Sequence, residues 1–224
     1  MDTLPLAEAD LARCLADLRR INALTRGFAP TVRFLRQLTA AWSRGAELRL
    51  VELGCGDGAM LRRIHRWASA RGLIPRLTGV DLNPQAIALA RAATPVGLAI
   101  DWRVGDALAF APETAPHVVT SALFAHHLSD ADVVRFLARM EAQATHGWFV
   151  NDLHRHGLAF RGFRLLAAVA GWHRVVRHDG AVSVARAFTR ADWARLLAEA
   201  GIEHATIRWH WPFRLCVARF KARP

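Results

Sequence analysis

A chain of 224 residues, 53% of them hydrophobic, is long enough to bury the core of one α/β domain carrying an N-terminal extension. Its longest apolar stretches, such as Leu165 to Trp172, fall short of the ~20 residues of a membrane span, no basic segment leads into an apolar run near the start, and three scattered cysteines exclude a disulfide framework, so a cytoplasmic protein is expected. A net charge of +11 raises nucleic acid or an anionic surface as a partner, but Lys221 is the single lysine among 30 basic residues, and arginines spread beside alanines read first as solvated helix faces.

Leu11, Leu15, Leu18 and Ile21 recur at spacings of three and four, which predicts an amphipathic helix over Leu6 to Leu24. A second helix is expected from Pro30, with Phe34, Leu35, Leu38 and Trp42 on one face. From Leu48 the pattern changes to short apolar strands alternating with helices, the signature of βαβ crossovers and a mainly parallel sheet. Strands are expected at 48–54, 76–82, 100–105, 117–123 and 146–152. The helices between them open at the glycine turn after Leu53, at Asn83-Pro84 and at Ser129, each with a start signal.

After the fifth strand an apolar helix is expected over Leu158 to Ala170, followed by the polar stretch from His173 to Arg186, a candidate lid containing His178, Asp179 and Ser183. Residues 154–190 together read as an insertion in a single domain, and 1–46 as its N-terminal extension. Thr189 to Asp192 resembles a capping box, so a helix should follow through Trp193, Leu196 and Leu197 and end at Gly201. The last two strands, near 205–210 and 214–220, are separated by Trp209-His-Trp-Pro-Phe213. That is too short for a crossover, so they should form an antiparallel hairpin.

The stretch Val51-Glu-Leu-Gly-Cys-Gly-Asp-Gly58 puts glycines directly after a buried strand and before a helix, where a ligand can approach the backbone closely. Gly54, Gly56 and Ala59 also satisfy a relaxed dinucleotide fingerprint, so the turn alone does not decide between cofactors. The acids decide. Asp81 at the end of the second strand suits a ribose diol. Glu52 and Asp106 add negative charge that would repel a pyrophosphate and attract a ligand bearing an ammonium and a sulfonium. Cys55 in the turn reads as a small, tolerated side chain.

Taken in order, V-E-L-G-C-G-D-G, G-V-D-L-N-P, V-G-D-A and the terminal hairpin resemble the class I S-adenosylmethionine-dependent methyltransferases. The resemblance covers roughly 48–153 and 202–220. It implies a Rossmann-like seven-stranded mixed sheet, mostly parallel with a terminal antiparallel hairpin and helices on both faces. It also implies S-adenosyl-L-methionine as cofactor and S-adenosyl-L-homocysteine as product. On the same grounds Glu52, Gly54 and Gly56 would lie by the methionine moiety, Asp81 would bind the ribose, Leu82 would pack on the adenine, and Asp106 with Ala107 would meet its amine.

The acceptor side is read from Ser121-Ala-Leu-Phe-Ala-His-His-Leu-Ser-Asp130 at the end of the fourth strand. His126 and His127 are candidate general bases, with His127 placed ahead, because imidazole titrates near working pH. A helix cap and a packing residue are the competing roles. Asp152, His154 and Arg155 share that edge of the sheet and are expected near the acceptor, while no metal site is expected among them. The segment resembles methyltransferases of small phenolic, quinone or polyketide-type acceptors, and the apolar surroundings point the same way. A nucleic-acid methyltransferase is the rival enzyme, although N-P-P-Y, D-P-P-Y and Pro-Cys are absent from the sequence. A binding module without turnover is the third reading. Oligomeric state is not legible.

Overall fold

The computed structural model describes residues 25–157 and 182–221, together with Arg13, Ala16, Arg20 and Asn22. The expected helices over Leu6 to Leu24 and Leu158 to Ala170, and positions 173–181 of the polar stretch, fall outside these residues or almost wholly so; 182–186 form a helical turn.

Helix α1 (Ala29–Leu38) begins with Pro30 in its first turn and buries Phe34 and Leu35. It ends earlier than the apolar spacing suggests. The Thr39 hydroxyl donates back to the Leu35 carbonyl at 2.8 Å and competes with the next helical bond. Trp42 is therefore not on the helix; it lies edge-on to the rings of His117 and His146, 5.2 and 5.4 Å away.

There follow β1 (Glu47–Leu53), α2 (Ala59–Ala70), β2 (Ile74–Asp81), α3 (Pro84–Ala92), β3 (Ile100–Val104), β4 (Val118–Ala122), α4 (Asp130–Gln143), β5 (Gly147–Leu153), α5 (Arg190–Glu199), β6 (Thr206–His210) and β7 (Arg214–Phe220). The strands form one seven-stranded sheet in the order β3-β2-β1-β4-β5-β7-β6. The first five pair in parallel, and β7 runs antiparallel to both β5 and β6. The expected mixed sheet with a terminal hairpin is what the chain forms.

The helix starts follow from local chemistry. Asn83 Oδ1 accepts from the amides of Gln85 and Ala86, Ser129 Oγ accepts from Asp132, and Thr189 with Asp192 makes a reciprocal capping box. Helices α1, α2 and α3 cover one face of the sheet, packing Leu35, Leu61 and Ile87 with Leu48, Leu50 and Leu77. Helices α4 and α5 cover the other, packing Phe136, Leu137 and Trp193 with Val51, Leu53 and Val119. A strand covered on both sides has no solvent face, which is why β1 is buried without interruption from Leu50 to Leu53.

The side of β2 beneath α2 admits no bulk at Gly79. A Cβ built there would lie 2.5 Å from Cζ3 of Trp102 on β3 and 2.8 Å from Cδ1 of Leu61. Gly79→Ala should accordingly lower stability by about 1–3 kcal/mol through overpacking, read as a shift of the urea midpoint at constant slope. An unchanged midpoint would mean that Trp102 can move aside freely.

Candidate active site

Strand order reverses at β1, whose neighbours β2 and β4 leave it in opposite directions, so a crevice opens at the carboxyl ends of β1 and β4. The glycine turn occupies it. Gly54, Gly56 and Gly58 all have left-handed backbone, with φ of 71°, 54° and 71°. Gly54 is restricted twice, because a Cβ there would also lie 2.5 Å from the Phe124 ring. The amides of Gly54 and Cys55 both donate to the Val80 carbonyl, at 2.9 and 3.0 Å, which fastens the turn to β2.

Asp81 completes the fastening. Its Oδ2 accepts from the Gly56 amide at 2.8 Å and its Oδ1 from the Asn83 amide at 2.9 Å. Each oxygen retains accepting capacity, so the carboxylate is held in place with lone pairs to offer. Leu82 beside it is 72% exposed, a large apolar side chain ready to be covered. Asp106 ends the neighbouring strand and accepts from the Leu108 amide at 2.8 Å. The methyl of Ala107 belongs to the core with Val80, so that residue faces a ligand through its backbone alone.

Glu52 is 2% exposed, and its Oε2 has no hydrogen-bond partner. Burial pushes its carboxyl well above the usual range, and the nearby charges of Asp57 and Asp81 push it further, against a smaller opposite pull from Arg62. Arg62 is itself engaged by Asp57, at 3.6 Å between Nη2 and Oδ2. Asp57 also accepts from the Ala59 amide at 3.1 Å, so the start of α2, the seat a pyrophosphate would take, is filled by the chain's own carboxylate. Negative charge with an unpartnered buried oxygen suits a cationic ligand. The residues present therefore fit S-adenosylmethionine, whose ammonium would supply the missing partner. Burial also pushes the Cys55 thiol far up, which leaves it inert.

The acceptor-side residues come together at the ends of β4 and β5. Leu123 takes left-handed backbone, φ 56°, with its amide donating to the Asn151 carbonyl at 3.0 Å. The chain then turns through a short 3₁₀ segment, Ala125–His127. Within it His126 is buried, and Nδ1 lies 2.6 Å from Asp152 Oδ1. Asp152 also accepts from the His126 amide at 3.1 Å and the Leu153 amide at 2.7 Å. Complete burial alone would raise the Asp152 carboxyl; the charge and hydrogen bond of His126, with the Leu153 amide and Arg214, outweigh it and hold the carboxyl below its usual range.

His127 is exposed, its ring centre 4.2 Å from that of His126. The other candidates go elsewhere. His154 bridges to Phe188, and Arg155 pairs with Asp192 at 2.8 Å, so the two ends of the segment between β5 and α5 are pinned together. Asn151 is fully buried, and its Nδ2 donates to the Gly27 carbonyl and to Thr31 Oγ1, at 2.8 and 3.0 Å, anchoring α1. Phe124, Asn151 and Arg214 were not among the sequence candidates, and the pairing of His126 with Asp152 was not foreseen. Its one signal is that His126 follows β4 and Asp152 lies near the end of β5, its parallel neighbour.

Against this geometry, residues 50–147 match a family model described as a methyltransferase domain. Over that stretch the chain is similar to a methyltransferase domain. A stretch of 88 residues is 35% identical to indolepyruvate C-methyltransferase from Streptomyces griseus, spanning 37% of this chain and 25% of that protein. The magnesium protoporphyrin IX methyltransferase of Synechocystis PCC 6803, solved with S-adenosylmethionine, shares the fold at TM-score 0.59 and 11% identity, over 98% of this chain and all of that one. The plantazolicin methyltransferase, solved with S-adenosylhomocysteine, aligns at TM-score 0.65 and 13% identity, over 88% of this chain and 70% of that one.

The raised Glu52 carboxyl has a measurable consequence. Between the unfolded carboxyl pKa near 4.5 and its higher folded value, the folded state holds a proton that the unfolded state has lost, so ligand-free stability declines as pH rises through that window. Glu52→Gln should remove this decline and melt higher than the parent protein at neutral pH. Parallel pH profiles of Tm for the two proteins would count against a buried, protonated Glu52.

Proposed function

We propose that the protein transfers a methyl group from S-adenosyl-L-methionine to a small, apolar, hydroxylated acceptor of phenolic, quinone or polyketide type. The observation that carries this reading is the buried, unpartnered Glu52 oxygen beside Asp81 in a turn whose phosphate seat is already filled by Asp57. When bound, S-adenosylmethionine supplies an electrophilic methyl on a sulfonium and leaves as S-adenosylhomocysteine. Glu52 would then hold the ammonium, with Gly54 and Gly56 letting the ligand lie close to the backbone. Asp81 would accept from both ribose hydroxyls, Leu82 would cover the adenine, and Asp106 would accept from its amine.

The base we assign to His126 rather than His127, because Asp152 lies against its Nδ1 and would orient the ring. An ionised Asp152 can only accept, so His126, when neutral, would carry its proton on Nδ1 and leave the Nε2 lone pair for the acceptor. His126 would take the acceptor's proton as the new bond to methyl forms. The curated relative acts on indolepyruvate and, by its name, methylates carbon; the same base would serve a carbon acid. We place the reaction in the cytoplasm, and among the described residues no helix is long and apolar enough to cross a membrane.

Charge-assisted hydrogen bonds to the ribose contribute about 1.5–3 kcal/mol each, so Asp81→Ala should weaken S-adenosylmethionine binding at least roughly tenfold in calorimetry. Tight NAD binding by the parent protein would overturn the cofactor. With labelled cofactor and host extract, methyl should enter a small organic-soluble product; label recovered in RNA would favour the nucleic-acid reading instead.

Removing a general base typically costs ~10²–10⁴-fold in rate. His126→Gln should show such a loss with cofactor affinity spared, and Asp152→Asn should follow it by disturbing the tautomer. His127→Gln should be nearly silent. Full turnover by His126→Gln would leave catalysis to proximity and alignment alone.

A further inference from the structure

The surplus charge of this protein has a location. Two stretches, 18–46 and 204–224, contain no Asp or Glu and hold 11 of the 30 basic residues; the remainder of the chain is balanced, with 19 basic and 19 acidic residues. The arginines are thus not evenly solvated helix faces, as their spread suggests. The fold brings the two acid-free stretches together, because α1 packs beside β5 and β7. Arg33 on α1 and Arg208 on β6 are exposed, and the charges of both act on His210.

Next to this cationic face the end of β6 and the turn after it display Trp209 and Trp211, 50% and 67% exposed. Leu153 of β5 pairs with Arg214 of β7, so the turn projects from the same end of the sheet as Asp81 and His126. We propose that this face docks on an anionic lipid surface, with the two indoles entering the interface and Arg33, Arg36 and Arg208 meeting the headgroups. Indoles favour the boundary between water and hydrocarbon, and stable peripheral attachment takes two signals, charge and an apolar insertion, both of which lie here on adjoining elements. RNA would call for aromatics interleaved with cations along one strip. Here the two indoles gather at one end of the hairpin, Trp209 near the end of β6 and Trp211 in the turn after it, while the exposed positions Thr206 and Arg208 further along β6 carry none.

Docking in this way would open the acceptor end of the sheet toward the lipid, from which an apolar acceptor can be drawn. That consequence rests on the methyl-transfer reading; the docking does not.

The test uses the full chain with sedimented vesicles of phosphatidylcholine alone and of phosphatidylcholine mixed with phosphatidylglycerol. Binding is expected to the anionic vesicles only and should weaken as salt rises. Trp209→Ser/Trp211→Ser and Arg33→Gln/Arg36→Gln/Arg208→Gln should each lose roughly tenfold or more of it. Their melting transitions and S-adenosylmethionine affinity should stay as in the parent, which separates a failure of docking from a failure of the enzymatic reading. Trp211→Ser alone, at the most exposed position of the turn, gives a milder variant with the same expected direction. Equal binding to both vesicles, absence of binding, or full retention by the tryptophan variants would overturn the proposal. So would structured RNA that displaces the protein from vesicles, or a concentration-dependent dimer lost in the same variants.

Discussion

Strand β1 pairs in parallel with β2 from Glu47–Ile74 to Leu53–Val80, and with β4 from Leu50–Val118 to Glu52–Thr120. This double pairing forces the chain to leave β1 through a sharp turn, because the next helix must begin almost where the strand ends. Only left-handed backbone makes the turn within the space that Phe124 leaves. The same registers put Asp81, Asp106 and the turn before His126 at one end of the sheet. The site is therefore a consequence of strand order, assembled from residues far apart in sequence by hydrogen bonds made elsewhere in the sheet.

Electrostatics then narrows what that end can accept. A helix N-terminus after a glycine turn normally invites an anion. In this chain Asp57 answers the first amide of α2, Arg62 is committed to Asp57, and Glu52 and Asp81 add further negative charge nearby. In a half-buried site with weak screening, such a set is unfavourable until a cation enters. Glu52 avoids part of that cost by holding its proton, so cationic ligand binding must be linked to proton release there.

Much of this was legible from residues alone, because the signals were local. Asn83-Pro84, Ser129 and the Thr189–Asp192 box carry their own capping chemistry, and alternation between apolar strands and helices fixes the fold class. Strand limits differed from expectation by no more than two residues, as with β2 starting at Ile74 instead of 76. Trp42 was misplaced because its spacing continued the helical period while the Thr39 back-bond ended the helix. The pairing of His126 with Asp152 was hidden for a different reason. It depends on which strands are neighbours and how they are registered, and neither is written in the stretch around either residue.

Asp152 shows how the acceptor end is linked to the N-terminal segment. Its carboxylate faces His126 on one side and bears on Arg214 on the other. Arg214 is buried as well; burial pulls its guanidinium down, and the Asp152 charge partly restores it. Its Nη2 donates to Asn22 Oδ1, and Gly27 leaves just enough room, since a Cβ there would lie 2.7 Å from both atoms. Buried charges of this kind give little net stability, because desolvation offsets most of their attraction. What they provide is fixed position. Asp152 is held by His126 and two amides and Arg214 by Asn22, so the imidazole, the strand ends and Asn22 before α1 are fixed as one connected set. Asn22 and Gly27 are thereby tied through Arg214 and Asn151 to the strand ends beside His126.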